Sequence, residues 1–230
     1  MRIAGLQKLT LLDYPGTVAC IVFTKGCNLR CPFCHNASLA LETSEDYLYE
    51  DEVFDYLVKR KGVLDGVVVS GGEPLLQPDI SSFLEKVKAL GYKVKLDTNG
   101  TRPELLSSLI ADGLVDKVAM DIKSSPEEYH IAAGVKLVDL SAIDKARDIL
   151  MSGSTEYEFR TTVVKGIHTE ESLISLAKWI SGAKEYYLQQ FKDSGELICA
   201  DGLGKFSEDQ MNHFADVVRP YVPSVRVRGI

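Results

Sequence analysis

The sequence predicts an α/β fold, an open partial (βα)6 barrel of the TIM-like kind. Short apolar runs rich in Val, Ile, Leu and Tyr alternate with longer amphipathic runs along most of the chain. Such alternation forms βαβ units with parallel strands and right-handed crossovers. Six units are too few for a closed eight-stranded barrel, which typically takes ~250 residues. A flat doubly wound sheet remains the alternative, because alternation alone does not distinguish the two.

The predicted elements follow one another with short connections. The strands are residues 18–23, 66–70, 93–96, 117–120, 158–164 and 185–189, and the helices are 51–60, 78–90, 103–111, 140–152, 170–181 and 207–221. Residues 2–10 and 224–230 are expected to add edge or lid segments, since 224–228 alternate with the period of a strand. No Pro/Gly/Ser-rich linker divides the 230 residues, which predicts a single domain over 1–230.

Composition excludes several classes of partner. The net charge is −7, and the Lys and Arg residues are scattered, which does not indicate a nucleic-acid partner. No apolar stretch approaches the ~20 residues of a membrane span, and the N-terminal residues lack the pattern of a signal peptide. We therefore expect a cytoplasmic protein with neither a membrane nor a nucleic acid as partner.

The most informative segment is a cysteine-rich loop directly after the first apolar strand. Cys27, Cys31 and Cys34 follow one another at C-x3-C-x2-C spacing. Thiolates are soft ligands that suit zinc or an iron–sulfur cluster. A [4Fe–4S] cube normally takes four cysteines, so three in one loop leave one iron open to bind a reactant.

The competing interpretation is a zinc-binding module of Cys3His type, with His35 as the fourth ligand. Cys34 and His35 are adjacent, which strains tetrahedral closure by a single loop, and structural zinc sites usually pair their ligands in two separated knuckles. No second C-x2-C or H-x3-H pattern occurs in the sequence. The zinc site stays open as an alternative.

Polar residues recur where the predicted strands end, which is where parallel βα architectures carry their chemistry. Asp121 and Lys123 are two residues apart, so both side chains point to one side of an extended strand. Asp97 and Thr98 also fit as capping residues of the helix that follows them. The candidate residues at the strand ends are Gly71, Gly72, Glu73, Asp97, Asp121, Lys123 and Arg160.

The cysteine loop, with Phe33 before its last cysteine, resembles the C-x3-C-x-aromatic-C motif of the radical S-adenosylmethionine (radical SAM) superfamily. The resemblance implies the partial barrel of that family and a [4Fe–4S] cluster held by Cys27, Cys31 and Cys34. It also implies that the cluster cleaves S-adenosylmethionine reductively to methionine and a 5′-deoxyadenosyl radical. The family's G-G-E-P segment, here from Gly71 to Pro74, hydrogen-bonds the methionine amino group.

Within that superfamily the chain most resembles glycyl-radical-enzyme activating enzymes. The residues that match the cosubstrate contacts of that group are Asn36, Asp97, Asp121, Lys123 and Arg160. The run from Gly5 to Gly16 resembles the group called anaerobic ribonucleoside-triphosphate reductase activating proteins. These likenesses imply a glycyl radical enzyme as protein substrate, a flavodoxin- or ferredoxin-type electron donor, and a monovalent cation bound through Asp97 and Asp121.

A second radical SAM alternative is an enzyme that acts on a small molecule, such as 7-carboxy-7-deazaguanine synthase. That group also has short chains, and it requires magnesium and a pterin pocket. Outside the cysteine loop, Cys20 reads as a buried strand residue and Trp179 as part of a helix's apolar stripe, whereas Cys199 has no predicted role.

Overall fold

The molecule is built around a β-sheet. The computed structural model describes residues 1–43, 47–153 and 155–230. In these residues eight strands form one sheet, in chain order from β1 to β8. β1 is antiparallel to β2, and every later neighbouring pair is parallel. The strands are β1 Ile3–Thr10, β2 Ala19–Thr24, β3 Gly66–Gly71, β4 Lys93–Thr98, β5 Lys117–Asp121, β6 Glu156–Val163, β7 Tyr186–Gln190 and β8 Val225–Arg228.

The helices occupy the connections between the strands. They are α1 Ala37–Ala40, α2 Glu50–Lys59, α3 Ile80–Ala89, α4 Pro103–Ala111, α5 Tyr129–Ala133, α6 Leu140–Ser152, α7 Glu170–Trp179 and α8 Glu208–Val218, with a 3-10 turn at Pro74–Leu76. The six predicted helices are confirmed to within two or three residues at each end. The short helices α1 and α5 and the 3-10 turn were not predicted, because they are too brief to show a helical period.

The helices cover the outer face of the sheet, and its inner face carries polar side chains together with a small apolar cluster that includes Ile21 and Val68. On β4, Val94 and Leu96 are fully buried in the core, and the alternate residues Lys95 and Asp97 point to the inner face. Helix α3 buries Phe83, among other residues, against the same core. Because the strands are parallel, the inner residues near their carboxyl ends meet at one end of the partial barrel.

The predicted open barrel with additional edge strands is confirmed: β1 and β8 are the first and last strands of the sheet. The proposed capping role of Asp97 and Thr98 is wrong. Both residues belong to β4, and helix α4 begins only after Arg102. In the part of the chain that the structure describes, no helix is long and apolar enough to cross a membrane.

Candidate active site

A cavity of about 370 Å³ opens at the carboxyl ends of the central strands. It is lined by all twelve residues that the sequence singled out: Cys27, Cys31, Phe33, Cys34, Asn36, Gly71, Gly72, Glu73, Asp97, Asp121, Lys123 and Arg160. The fold therefore gathers into one place residues that are spread over more than 130 positions of the sequence. His35, the fourth ligand of the zinc alternative, is exposed and lines the same cavity.

The cysteine loop presents its three thiols to this cavity. Cys31 is nearly buried, whereas Cys27 and Cys34 are half-buried. The Leu29 amide donates to Cys27 Sγ at 3.4 Å, and the Asn99 side-chain amide donates to the same sulfur at 3.8 Å. Burial raises the pKa of the Cys31 thiol to about 11. Ligand thiols bind metal as thiolates, so cluster assembly must displace this proton.

Contacts from distant segments hold the cysteine loop from behind. The Arg30 amide donates to Ala133 O at 2.9 Å, and Gly134 lies so close to Arg30 O that a Cβ there would collide with it. On the other side, the Cys199 amide donates to Pro32 O at 3.0 Å. The loop is thus fixed by the segment after β5 and by the segment after β7.

The glycines at the end of β3 allow the chain to run directly beneath the cysteine loop. Gly71 has a φ of +111°, a backbone conformation that favours glycine. The amide of Gly72 donates to Thr24 O at 2.9 Å, and a Cβ at Gly72 would collide with Gly26 O. These contacts leave room for a ligand to meet backbone rather than side chain at this end of β3.

The Glu73 carboxylate is buried and accepts three hydrogen bonds from within the protein. Oε1 accepts from Thr98 Oγ1 at 2.7 Å and from the Leu75 amide at 3.1 Å, and Oε2 accepts from the Asn99 amide at 2.7 Å. Burial raises the pKa of Glu73 to about 7. This carboxylate ties the end of β3 to the end of β4.

A chain of ion pairs crosses three strands on the inner face. Asp97 contacts Lys95 Nζ at 2.6 Å and one Arg160 terminal nitrogen at 3.2 Å. Asp121 contacts Arg160 Nε at 2.9 Å and Lys123 Nζ at 3.0 Å. Arg160 therefore bridges the two carboxylates that the resemblance assigns to a monovalent cation.

The ion pairs fix the charge of each member. Burial opposes ionisation of Asp121, but Arg160 and then Lys123 outweigh it and hold its pKa well below the usual value. Burial also opposes the charge on Lys123, and Asp121 reverses this and raises its pKa. Lys123 and Arg160 line the cavity, and an ammonium and a guanidinium at this place suit a ligand that carries a carboxylate.

Two supporting residues, Lys95 and His168, are not predicted from the sequence. Lys95 is only 1% exposed and has Asp97 as its partner, yet a lysine in a strand gives no sign of burial in the sequence. His168 received no role. Its Nδ1 accepts from the Val164 amide at 3.0 Å, so Nε2 donates to Lys123 O at 2.8 Å, and its ring contacts Phe33 edge-on. It thereby supports both Lys123 and the cysteine loop.

Comparison with known proteins assigns the family. The family model described as the Radical SAM superfamily matches residues 21–180, and the chain therefore belongs to that superfamily. Its cofactors are accordingly a [4Fe–4S] cluster and S-adenosylmethionine, and the protein is a radical SAM enzyme. The three thiols around one cavity fit such a cluster with one iron left open. The alternative of a zinc-binding module is wrong.

Two relatives are informative about the wider group. The chain is 32% identical to a protein of Methanocaldococcus jannaschii over 99% of its own length and 96% of that protein's. That protein is provisionally named a glycyl-radical enzyme activating enzyme. A pyruvate formate-lyase-activating enzyme of Listeria monocytogenes is 38% identical over 59% of this chain and 58% of the enzyme.

Solved structures share the fold. SuiB of Streptococcus suis, in a crystal structure with bound S-adenosylmethionine, matches 89% of the chain with a TM-score of 0.67 at 16% identity. Native anSMEcpe with bound AdoMet matches 71% of the chain with a TM-score of 0.57 at 19% identity. The chain spans about half the length of each of these proteins, 48% in both cases.

Proposed function

We propose that this enzyme is an activase, which removes a hydrogen atom from a glycine Cα of a partner glycyl radical enzyme. The observation that carries the proposal is the similarity, over nearly the whole length of both chains, to the M. jannaschii protein that bears an activating-enzyme name. The activase-type residues Asn36, Asp97, Asp121, Lys123 and Arg160 lie around one cavity, which supports it further. All of these functions would reside in one domain, residues 1–230.

The cysteines and the cavity residues have separate tasks in this proposal. Cys27, Cys31 and Cys34 would hold the cluster, and Phe33 would pack behind it against His168. When bound, the cluster supplies the electron that cleaves S-adenosylmethionine and generates the 5′-deoxyadenosyl radical. The protein's own contribution is to position the cosubstrate and to exclude water from it.

The ends of β3, β5 and β6 would orient the cosubstrate. Backbone groups of Gly71 and Gly72 would receive the methionine amino group, with the Glu73 carboxylate holding that turn in place. Lys123 and Arg160 supply the positive charge for the methionine carboxylate or the ribose hydroxyls. Asn36, whose side-chain amide donates to Gly71 O at 3.4 Å, would complete this wall.

Asp97 and Asp121 can have two roles in the site. They hold Arg160 between them in this structure, and the same oxygens would be the ligands of a monovalent cation when the cosubstrate is bound. Asp97→Asn and Asp121→Asn should each reduce glycyl radical yield. If the radical yield of the wild type depends on potassium or sodium and that of both variants does not, the cation is assigned to these carboxylates.

The partner that we propose is an anaerobic ribonucleotide reductase, with a flavodoxin- or ferredoxin-type protein as electron donor. The test is electron paramagnetic resonance of the reconstituted, reduced protein mixed with S-adenosylmethionine and an anaerobic ribonucleotide reductase. A parallel sample contains pyruvate formate-lyase instead. A glycyl doublet only with the reductase supports the partner, and a doublet only with the lyase supports the activase but reassigns the partner. A partner whose target glycine is replaced by alanine is the matched control.

A small-molecule enzyme is the second candidate, because a 7-carboxy-7-deazaguanine synthase of Halobacterium salinarum is 38% identical to part of this chain. The similarity covers only 37% of the chain and 33% of that enzyme, which is less than the activase relatives cover. Conversion of a pterin substrate in the presence of magnesium, without any second protein, would favour this candidate and contradict the activase.

A further inference from the structure

The side chain of Asn99 reaches from the end of β4 to the cysteine loop. Asn99 is only 5% exposed, and it lines the same cavity as the three thiols. Its Nδ2 lies 3.8 Å from Cys27 Sγ. A primary amide has two N–H donors and one carbonyl oxygen, and each of these groups needs a partner when the side chain is buried.

The hydrogen bonds of Asn99 fix which end of its amide faces the sulfur. The Thr101 backbone amide, which can only donate, donates to Asn99 Oδ1 at 3.1 Å, and the Thr101 hydroxyl donates to the same oxygen at 2.7 Å. The carbonyl oxygen therefore faces Thr101, and the NH2 group faces the cysteine loop. One N–H of that group donates to Asn28 Oδ1 at 2.9 Å, which leaves the other N–H for Cys27 Sγ.

Asn28, Asn99 and Thr101 form a closed ring of hydrogen bonds. The ring is completed by Asn28 Nδ2, which donates to Thr101 Oγ1 at 2.9 Å. The backbone of Asn99 is held as well, because its amide donates to the buried Glu73 carboxylate at 2.7 Å. The side chain of Asn99 cannot turn away from Cys27 without breaking several of these bonds, so its donor is held in place at the sulfur.

Cys27 is the cysteine of the loop whose sulfur accepts two N–H donors, one from Asn99 and one from the Leu29 backbone amide at 3.4 Å. The reduced form of an iron–sulfur cluster has one electron more than the oxidised form, so its sulfurs are more negative. Hydrogen bonds to those sulfurs therefore favour the reduced form and raise the reduction potential. Only the donor of Asn99 comes from a side chain, and a substitution can remove it.

We propose that Asn99 raises the reduction potential of the cluster through its hydrogen bond to Cys27, as a positioning residue that acts through this cysteine. The inference rests on the assignment of Cys27 to the cluster under the proposed function, and it is independent of the partner enzyme. In the step concerned, one electron passes from an external one-electron donor to the cluster, and no covalent bond forms or breaks. The hydrogen bond would allow a milder donor to reduce the cluster.

The test compares the reduction potential of the reconstituted cluster in the wild type and in Asn99→Ala, without S-adenosylmethionine. A photoreduced deazaflavin supplies the electrons, redox dyes report the potential, and electron paramagnetic resonance measures the fraction of reduced cluster. We expect the equilibrium constant for reduction to fall about tenfold in Asn99→Ala. For a one-electron couple this is a shift of about 59 mV to more negative potential. Iron analysis should give about four irons per chain in both proteins.

Thr101→Val is the matched control within the same ring. It removes the hydroxyl that bonds to Asn28 and Asn99, but it keeps the Thr101 backbone amide that orients the amide of Asn99. Its cluster should keep the potential of the wild type. Should Asn99→Ala fail to fold or to take up iron, Asn99→Ser replaces it, because the serine hydroxyl ends one atom short of the position of the donor.

The outcomes separate this inference from the assignment of the cluster ligands. An unchanged potential in Asn99→Ala, with a full cluster, overturns the role of Asn99 and leaves the ligand assignment standing. Equal shifts in Asn99→Ala and Thr101→Val also overturn that role, because they report a general change in the loop. A Cys27→Ala variant that keeps a full cluster overturns both, since Cys27 would then not be a ligand.

Discussion

Arg160 donates its Nε proton to the Asp121 carboxylate at 2.9 Å, and this bond joins the end of β6 to the end of β5. The same guanidinium also reaches Asp97 on β4, so one side chain holds three strand ends in register at the cavity. Because both partners of this guanidinium are fixed at strand ends, its positive charge is held in place before a ligand binds. Such pre-positioned charge is expected in a ligand-binding site.

Replacement of Arg160 by alanine should therefore impair the use of the cosubstrate and spare the cluster. Two half-buried carboxylates would lose their common partner, and we expect cleavage of S-adenosylmethionine to fall by at least about tenfold. Chromatography of 5′-deoxyadenosine measures the change, and iron analysis shows that the cluster is retained. Arg219→Ala, at an exposed arginine of the α8 end, is the control. Unchanged cleavage in Arg160→Ala would remove this residue from the site.

Lys95 is expected to act by holding Asp97 in position. Lys95→Met keeps the bulk of the side chain but removes the buried ammonium, and we expect the free energy of unfolding to fall by about 1–3 kcal/mol, since Asp97 retains Arg160 as a partner. The KM for S-adenosylmethionine should rise as Asp97 and Arg160 lose their alignment, and Lys95→Arg should restore part of it. Urea denaturation and product formation measure the two effects. Lys93→Met, at the exposed amino end of β4, should change neither.

The buried Glu73 gives the apoprotein a characteristic pH dependence. Its pKa is raised by burial from 4.5 to about 7, so the folded state binds this proton more tightly than the unfolded state. The free energy of unfolding should fall as pH rises from about 4.5 to about 7, by up to about 3 kcal/mol, from this group alone. Glu73→Gln should remove that slope.

The difference between wild type and Glu73→Gln isolates this carboxyl from the other titrating groups. Burial lowers the pKa of His168, which makes the protein more stable as pH rises toward 6.5, but this slope is common to both proteins. Denaturant midpoints at several values of pH from 5 to 7.5 provide the measurement. A difference that does not vary with pH would contradict the assignment.

Loss of one cysteine of the loop should abolish the cluster. We expect the reconstituted wild type to bind about four iron atoms per chain. Cys31→Ala keeps only two thiols in the loop and should lose this iron. Cys199→Ser is the matched control, because Cys199 is exposed and meets the loop only through its backbone amide. Iron analysis and the visible spectrum distinguish the two. A full cluster in Cys31→Ala would mean that the loop is not the ligand set.

Much of this arrangement could be predicted from sequence because it depends on local pattern. Apolar periodicity located the six central βα units, and the spacing of Cys27, Cys31 and Cys34 indicated the cluster. The residues that sequence could not place, Lys95 and His168, owe their roles to partners far along the chain. The burial of Lys95 can be explained only when its neighbours Asp97 and Arg160 are known, and the sequence does not show that these residues are close in space.

Burial also determines the hydrogen bonds of residues for which rules based on local sequence fail. Asp97 and Thr98 have the chemistry of capping residues, yet they pair in β4, and the hydroxyl of Thr98 donates to Glu73 instead. In the same way Glu73 has the chemistry of a ligand contact, but its carboxylate is satisfied within the protein. Residue type indicates what a side chain is able to do, and the packing around it determines which of those bonds it makes.

The most direct test of the account follows the hydrogen atom itself. The partner enzyme is prepared with glycine deuterated at Cα. After a single turnover, 5′-deoxyadenosine is isolated and its mass is measured by mass spectrometry. We expect one deuterium in the 5′-deoxyadenosine, formed together with the glycyl radical on the partner. Unlabelled 5′-deoxyadenosine in a sample that develops the glycyl signal would contradict direct abstraction from glycine by this enzyme.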